Sequence, residues 1–411
     1  MHMIPAARAG HGASVPSHVL RVLYIRFPQS YKGGVHSYSR TLVKLLDRYG
    51  GADVEIVDLY AIIEQMIAGG DAAAAGDPAR LCEHLERQGL LAGLGAAVTD
   101  VGLLEHREFF FLACLKSRHP ALPTFATIHD APASVVNLFP WFEPRQGLRL
   151  VRAVRKVANQ AFGASVEKRF YGQGHHLVTL TGRAKAALAA KLQRLGCSAS
   201  IDLFKHPHMA DIEQLEQPAA AAGGLRIGYL GYIAHAKGID RLIDAVRAIK
   251  ASSPVLLEGV SVDIAGGVIS NSDQAYLDAL REQCAAAGLG DTVRFLGFLA
   301  SADVPGFVAG LDLMVLPYRE TGSGAASGPF MWARTFGVPV LASNSRNFAD
   351  EIRDGADGML FDGEGLPDRL LSFVKEESIR RRLEQGARDA SADQSWRNSA
   401  ASLLGLIRER S

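Results

Sequence analysis

Lys237 stands where the apolar segment LRIGYLGYIAHAKGIDRLIDAVRAI passes through a Lys-Gly pair into an amphipathic stretch. A lysine at the carboxyl end of a parallel strand, beside a helix start, is placed to neutralise a ligand phosphate. The same half later carries LPYRETGSGAASG, with Glu320 ahead of the glycines and Ser327 and Gly328 where a helix begins. Free backbone N–H groups and a positive dipole end are offered to an anion there. In the other half, Gly33 and Gly34 follow the first hydrophobic segment, and His129 ends the segment TFATIH. That places an imidazole at the carboxyl edge of a sheet, where ligands of such sheets bind. Each feature also has a plainer use, as a helix-capping lysine, a glycine-rich connection or a satisfied histidine. Taken together they point to a phosphate-bearing small molecule.

The elements that must position these residues alternate. Strands are expected at residues 20–27, 54–59, 124–129 and 177–181, the last of its half, and then at 225–230, 262–265, 293–298, 313–317 and 338–342. Helical spacing recurs in Val35, Tyr38, Leu42, Leu45, Leu46 and Tyr49, and in residues 239–250 and 273–287. Residues 62–104 are Ala/Gly-rich and helical in character, and their run GLLAGLGAAV reads as a buried helix. Strand and helix in alternation specify a parallel sheet covered on both faces. The expected fold class is therefore α/β, two Rossmann-like domains with parallel sheets facing an interdomain cleft. The composition turns acidic and then Ala/Gly-rich at 209–224, which sets domains at 1–208 and 225–390 with a linker between and a last helical segment at 391–411.

The 411 residues exceed what one core supports, and 44 Lys and Arg against 43 Asp and Glu leave a charge of +1 that favours no nucleic acid. The cysteines, Cys82, Cys114, Cys197 and Cys284, are far apart and make no metal-ligand spacing, which fits a reducing compartment and no structural zinc. No apolar run reaches the roughly 18 residues of a membrane span, and the start of the chain lacks a signal-peptide core, so the expected location is the cytoplasm. Residues 148–170 place Arg149, Arg152 and Lys156 on one side and an apolar stripe on another. Such a helix lies on anionic lipid at the inner face of a membrane or, more commonly, packs its stripe into a core.

Most of residues 225–362, with KGGVHSYSRTLVKLL and FATIHD in the first half, resemble the retaining glycosyltransferases of family 4, which have the GT-B fold. The resemblance implies a nucleotide-sugar donor held by the C-terminal domain, a hydroxyl acceptor held mainly by the N-terminal one, and neither metal nor cofactor. By this likeness Gly231, Lys237 and Gly238 hold the donor diphosphate, and Gly33 and Gly34 close over it. His129 contacts the sugar near its reacting carbon, and Glu351 matches a glutamate that would contact the ribose or a loop. A glycan or lipid-linked acceptor in polysaccharide, O-antigen or glycolipid assembly is the implied pathway.

Three positions depart from the family. Tyr232 stands where a second phosphate-binding arginine is usual, for which Arg26 and Lys32 are the substitutes to consider. Gly324 and Trp332 stand where two glutamates are expected. Glu320 lies four residues before Gly324, and the glycines after it allow it to take the sugar-binding role. For Trp332, packing under its helix is the reading to prefer over stacking on a base. These departures keep open a catalytically impaired homologue acting as a sugar-binding or partner subunit. A GT-B epimerase, or a phosphorylase needing pyridoxal phosphate, is the more distant rival.

Overall fold

A computed structural model describes residues 19–27, 34–101, 107–129, 157, 162–212, 223–268, 271–319, 327–345 and 347–410. Within them lie two parallel sheets of six strands each. The first half runs β1 (Leu20–Ile25), α1 (Gly34–Tyr49), β2 (Val54–Asp58), α2 (Leu59–Ala68), α3 (Ala72–Gly76), α4 (Pro78–Arg87), β3 (Leu94–Val101), α5 (Arg107–Arg118), β4 (Thr124–Ile128), β5 (His176–Thr179), α6 (Gly182–Leu195) and β6 (Ile201–Leu203). Its strand order is β2-β1-β3-β4-β5-β6.

The second half runs β7 (Leu225–Leu230), α7 (Ile239–Ser252), β8 (Val260–Ala265), α8 (Asn271–Ala286), β9 (Val293–Gly297), α9 (Val304–Ala309), β10 (Leu313–Leu316), α10 (Gly328–Phe336), β11 (Val340–Ser343), β12 (Gly358–Phe361), α11 (Leu366–Lys375), α12 (Glu377–Ala392) and α13 (Trp396–Arg410). Its order is β12-β11-β10-β7-β8-β9. In each sheet the order reverses beside the first strand, and the loops at the carboxyl ends diverge there to leave a crevice.

The largest correction falls on GLLAGLGAAV. Its second half enters β3, which pairs with β1 on one side and β4 on the other at the centre of the sheet. Ala96 and Ala97 are fully buried, so this strand has no polar face and no alternation. A run apolar on both faces cannot be told from a buried helix by periodicity. Gly93, at φ +68°, makes the turn that frees the strand, and at Gly95 an added Cβ would lie 2.5 Å from Leu20 Cδ1. A second correction follows from length: β6, three residues at the sheet edge, comes after β5 and is the true last strand of this half. Cys82 on α4 and Cys114 on α5, far apart in sequence, come near each other in the fold as free thiols.

Tyr38, Leu42, Leu45 and Leu46 of α1 turn inward at helical spacing and meet Trp396, Leu403, Leu404 and Ile407 of α13 in one apolar cluster. The end of the chain thus lies on the first half. The chain passes between the halves at two neighbouring places: His208 N donates to Gln394 O at 2.9 Å, Trp396 Nε1 donates to His208 O at 2.9 Å, and Met209 N donates to Thr335 Oγ1 at 2.9 Å.

Candidate functional site

The carboxyl end of β7 is built from residues without side chains. Gly231, at φ +141°, donates its N–H to Ala265 O, and a Cβ on Gly266 would stand 1.7 Å from Gly231 O. Such an approach is open only to glycine. The chain then makes a 3-10 turn, His235–Lys237, that ends on Gly238 at φ +66°. There an added Cβ would lie 2.1 Å from Pro317 O. Gly238 leads directly into α7, whose buried face of Ile239, Leu242, Ile243 and Val246 anchors it to the sheet.

Lys237 is half-buried, and its Nζ sits 3.8 Å from the centre of the Tyr318 ring. Burial lowers its pKa. Among the described residues no carboxylate pairs with it, so an ammonium has been partly desolvated and given only a ring face, an arrangement that favours arrival of an anion. A helix-capping lysine in solvent would show the opposite.

Arg319 fastens this turn to the end of β10. Its N–H donates to Ala236 O at 2.9 Å, and its Nη1 donates to His235 O at 2.7 Å and to Asp240 Oδ1 at 2.9 Å. The Tyr276 hydroxyl donates to the same Asp240 oxygen. None of this was visible in the sequence, because the partners lie 36 to 84 residues apart.

Ser327 caps α10: its Oγ lies 3.3 Å from the Tyr318 hydroxyl and 3.5 Å from Phe330 N. The Cβ that Gly231 lacks would lie 3.5 Å from Pro329 Cγ. Gly231, Lys237, Gly238, Ser327 and Gly328 are therefore brought to one place by β7, β10 and the start of α10. The amide supply is thinner than the sequence promised, because Pro329 has no N–H and Phe330 N is turned to Ser327. Gly328 N is what remains for an anion.

Other expectations fare differently. Glu320, Gly33, Lys32 and Gly324 lie outside the described residues, and Gly34 opens α1. Arg26 is no spare cation, since it forms a two-pronged pair with Asp58 and lies 4.6 Å over the Tyr60 ring. Trp332 stacks on Phe336 at 6.2 Å and packs against the core, as the commoner use of such a side chain has it. Glu351 sits near Arg334, Asp350 and Lys205 with its pKa raised by burial. Of the basic helix only Val157 and residues 162–170 are described, and Val157 and Phe162 are exposed.

His129 follows β4 with 12% of its side chain exposed, its Nε2 3.6 Å from Asp100 Oδ1. Asp100 was missed because its strand was read as helix; a carboxylate at a strand's carboxyl end is the signal that would have found it. Also missed was Phe298, 76% exposed after β9, with Tyr232, 50% exposed, after β7. A Cβ on Gly267 would meet Phe298 at 3.4 Å, so aromatic surface stands free at the rim of the same sheet edge. Among the described residues no helix is long and apolar enough to cross a membrane.

Comparison with known proteins agrees with this geometry. Residues 211–390 match the family model for glycosyl transferases group 1. D-inositol 3-phosphate glycosyltransferase of Salinispora arenicola is 30% identical over 189 residues, 45% of this chain and 41% of that protein. The GDP-mannose-dependent alpha-(1-6)-phosphatidylinositol monomannoside mannosyltransferase of Mycobacterium tuberculosis is 27% identical over 256 residues, 58% of this chain and 63% of that protein. The chain thus spans about half the length of the curated relatives it matches. Among solved structures, HepE of Anabaena in complex with UDP superposes with a TM-score of 0.60 at 15% identity, covering 95% of this chain and all of that one. Sucrose-phosphate synthase of Thermosynechococcus elongatus gives 0.62 at 15% identity, covering 95% and 98%. The fold is thus the GT-B arrangement of two parallel sheets, and the turn that carries Lys237 falls inside residues 211–390, the stretch that matches the glycosyl transferases group 1 model.

Proposed function

We propose that the protein is a retaining, metal-independent glycosyltransferase that moves a sugar from a nucleoside-diphosphate sugar to a hydroxyl acceptor on a glycan or lipid-linked glycan. The observation that carries this reading is Lys237, half-buried on the Tyr318 ring with no acidic partner among the described residues, at the meeting of β7, β10 and α10. In this reading residues 225–390 hold the donor and residues 1–208 the acceptor. Lys237 and the Gly328 amide take the diphosphate, Gly231 and Gly238 let the backbone approach it, and Phe298 and Tyr232 give the base an apolar platform. His129, with Glu320, faces the sugar. The exposed Val157 and Phe162 support an acceptor presented at the inner face of a membrane.

In the transfer, the bond from the anomeric carbon to the diphosphate oxygen breaks, and the diphosphate leaves with the electron pair. The acceptor oxygen bonds to that carbon from the same face and passes its proton to the departing phosphate oxygen. Charge grows on the diphosphate as the bond breaks, so Lys237 binds the transition state more tightly than the ground state. A pair of carboxylates of the glycosidase kind is not required, which removes the objection posed by Gly324 and Trp332.

The test is incubation of the full chain with a panel of UDP- and GDP-sugars and hydroxyl acceptors. Release of free nucleoside diphosphate is followed with and without chelator, and the anomeric configuration of product is read by NMR. A product of inverted configuration, or activity abolished by chelator, would overturn the mechanism. Nucleotide binding without turnover over the whole panel would leave a sugar-binding subunit.

A further inference from the structure

The carboxyl edge of the first sheet holds a cluster that this reaction has not yet used. Asp100, at the end of β3, has a side chain only 1% exposed. Its Oδ2 accepts hydrogen bonds from the Tyr24 hydroxyl of β1 and from Ser39 Oγ of α1, the latter at 2.8 Å. Two elements therefore hold the carboxylate plane. Its Oδ1 has no hydrogen-bond partner and faces His129 Nε2, which is also buried and unpartnered. Buried polar atoms left unpaired are costly, and here a donor and an acceptor stand 3.6 Å apart with only a small approach needed to join them. Tyr38 lies edge-on to the imidazole at 4.7 Å and restricts its rotation. Because Nε2 is buried, the exposed part of the side chain belongs to the rest of the ring.

We propose that Asp100 is the positioning residue of His129: its free oxygen receives the Nε2–H, fixes that tautomer, and leaves Nδ1 as the ring nitrogen that meets the donor sugar. The second half of this statement rests on the proposed glycosyl transfer; the first does not. The other groups around the pair leave Asp100 as the acceptor that Nε2 faces. His206, whose ring lies 4.8 Å from that of Tyr38, is pushed down to about 4 by burial and is neutral at pH 7. Glu108 at the start of α5 is pushed up to about 7 by burial, Tyr24 and Tyr38 stay protonated, and Arg26 is committed to Asp58. Asp100 is thus the carboxyl group that His129 faces.

The experiment uses the unliganded full chain labelled with 15N-histidine, the His129 signals being assigned by their loss in His129→Gln. The neutral imidazole is expected to carry its proton on Nε2. In Asp100→Asn, which weakens the acceptor facing Nε2, the share of neutral ring protonated on Nε2 should fall. A parent ring protonated on Nδ1, or a tautomer balance that Asp100→Asn leaves unchanged, overturns the proposal. If Asp100→Asn fails to fold, the tautomer in the parent decides alone. Once transfer is measurable, Asp100→Asn should slow turnover about 10- to 100-fold, with nucleoside-diphosphate affinity unchanged. Adding it to His129→Gln should slow turnover no further, and additive losses would count against the pairing. Because the spectra are read without substrate, an expected spectrum with no transfer faults the functional reading and not the pair.

Discussion

Replacing Lys237 by methionine removes the charge and leaves an unbranched apolar chain to lie on the Tyr318 ring. The structure sets the size of the effect. The ammonium is half-buried and has no acidic partner among the described residues, so its contact with a phosphate is a charge-assisted hydrogen bond in a partly dry place. Such bonds contribute about 1.5–3 kcal/mol, which is roughly 10- to 150-fold in Kd at 1.4 kcal/mol per tenfold. Turnover should fall further, since the charge on the diphosphate grows as the sugar leaves. A second signature lies in pH. Burial lowers the pKa of Lys237 from its usual value, so the free protein loses this charge earlier on the alkaline side than an ordinary lysine would. Affinity for the diphosphate should be level below that value and weaken as pH rises through it. Lys237→Met should lack this slope. Calorimetry of the full chain with UDP and GDP, at neutral and alkaline pH, measures both. A Kd within twofold of the parent, or an alkaline slope that survives the substitution, refutes the argument.

Gly238→Ala should lower the melting temperature and weaken nucleotide binding at least about tenfold, because φ is +66° and the new Cβ would stand 2.1 Å from Pro317 O; an unchanged melt would sink this. Burial holds the Glu108 carboxyl at about 7, above its usual 4.5. The folded chain therefore keeps a proton that the unfolded chain gives up between these values, and this contribution to stability is full below pH 4.5 and lost as pH rises through 7. Glu108→Gln keeps an acceptor for Phe27 N, 3.1 Å from Oε1. It should remove that decline, as read from denaturant midpoints at pH 5 and 8. Leu404→Ala in α13 should cost about 2–5 kcal/mol, since the side chain is buried against α1. Arg408→Ala, which breaks an exposed pair with Asp53, should cost under about 1 kcal/mol; equal losses in urea titration would show that α13 is not docked through its apolar face.

The turn that carries Lys237 was legible because its signals are local. Gly231, Lys237 and Gly238 announce a strand end, a cation and a positive-φ stop within eight residues of chain. The N-terminal half was less so. The central strand β3 has small apolar residues on both faces, so its period vanished and Asp100 with it. Arg319 and Asp240, or Cys82 and Cys114, meet only after folding, and no spacing rule joins them. Phe298 looked like one more apolar residue at the end of a strand. Its exposure, which a sequence cannot report, is what marks it. The three residues of β6 are too few to show a pattern, whereas β12 was passed over although β5, β10 and β11 are no longer than its four residues.

The two neighbouring passages of chain between the halves, near His208 and near Gln394, are tied to each other by hydrogen bonds at 2.9 Å. They resemble two pins on one door post: swinging about their common line is easy, while twisting would pull one pin away from the other. Cutting one passage would leave the halves still hung on the second. Elsewhere Arg183 and Asp350 meet across the halves at 2.9 Å, but both are well exposed, and such a latch holds by less than about 1 kcal/mol. Added salt would loosen it further. That pair therefore adds little to the tie that the two passages of chain already make between the halves.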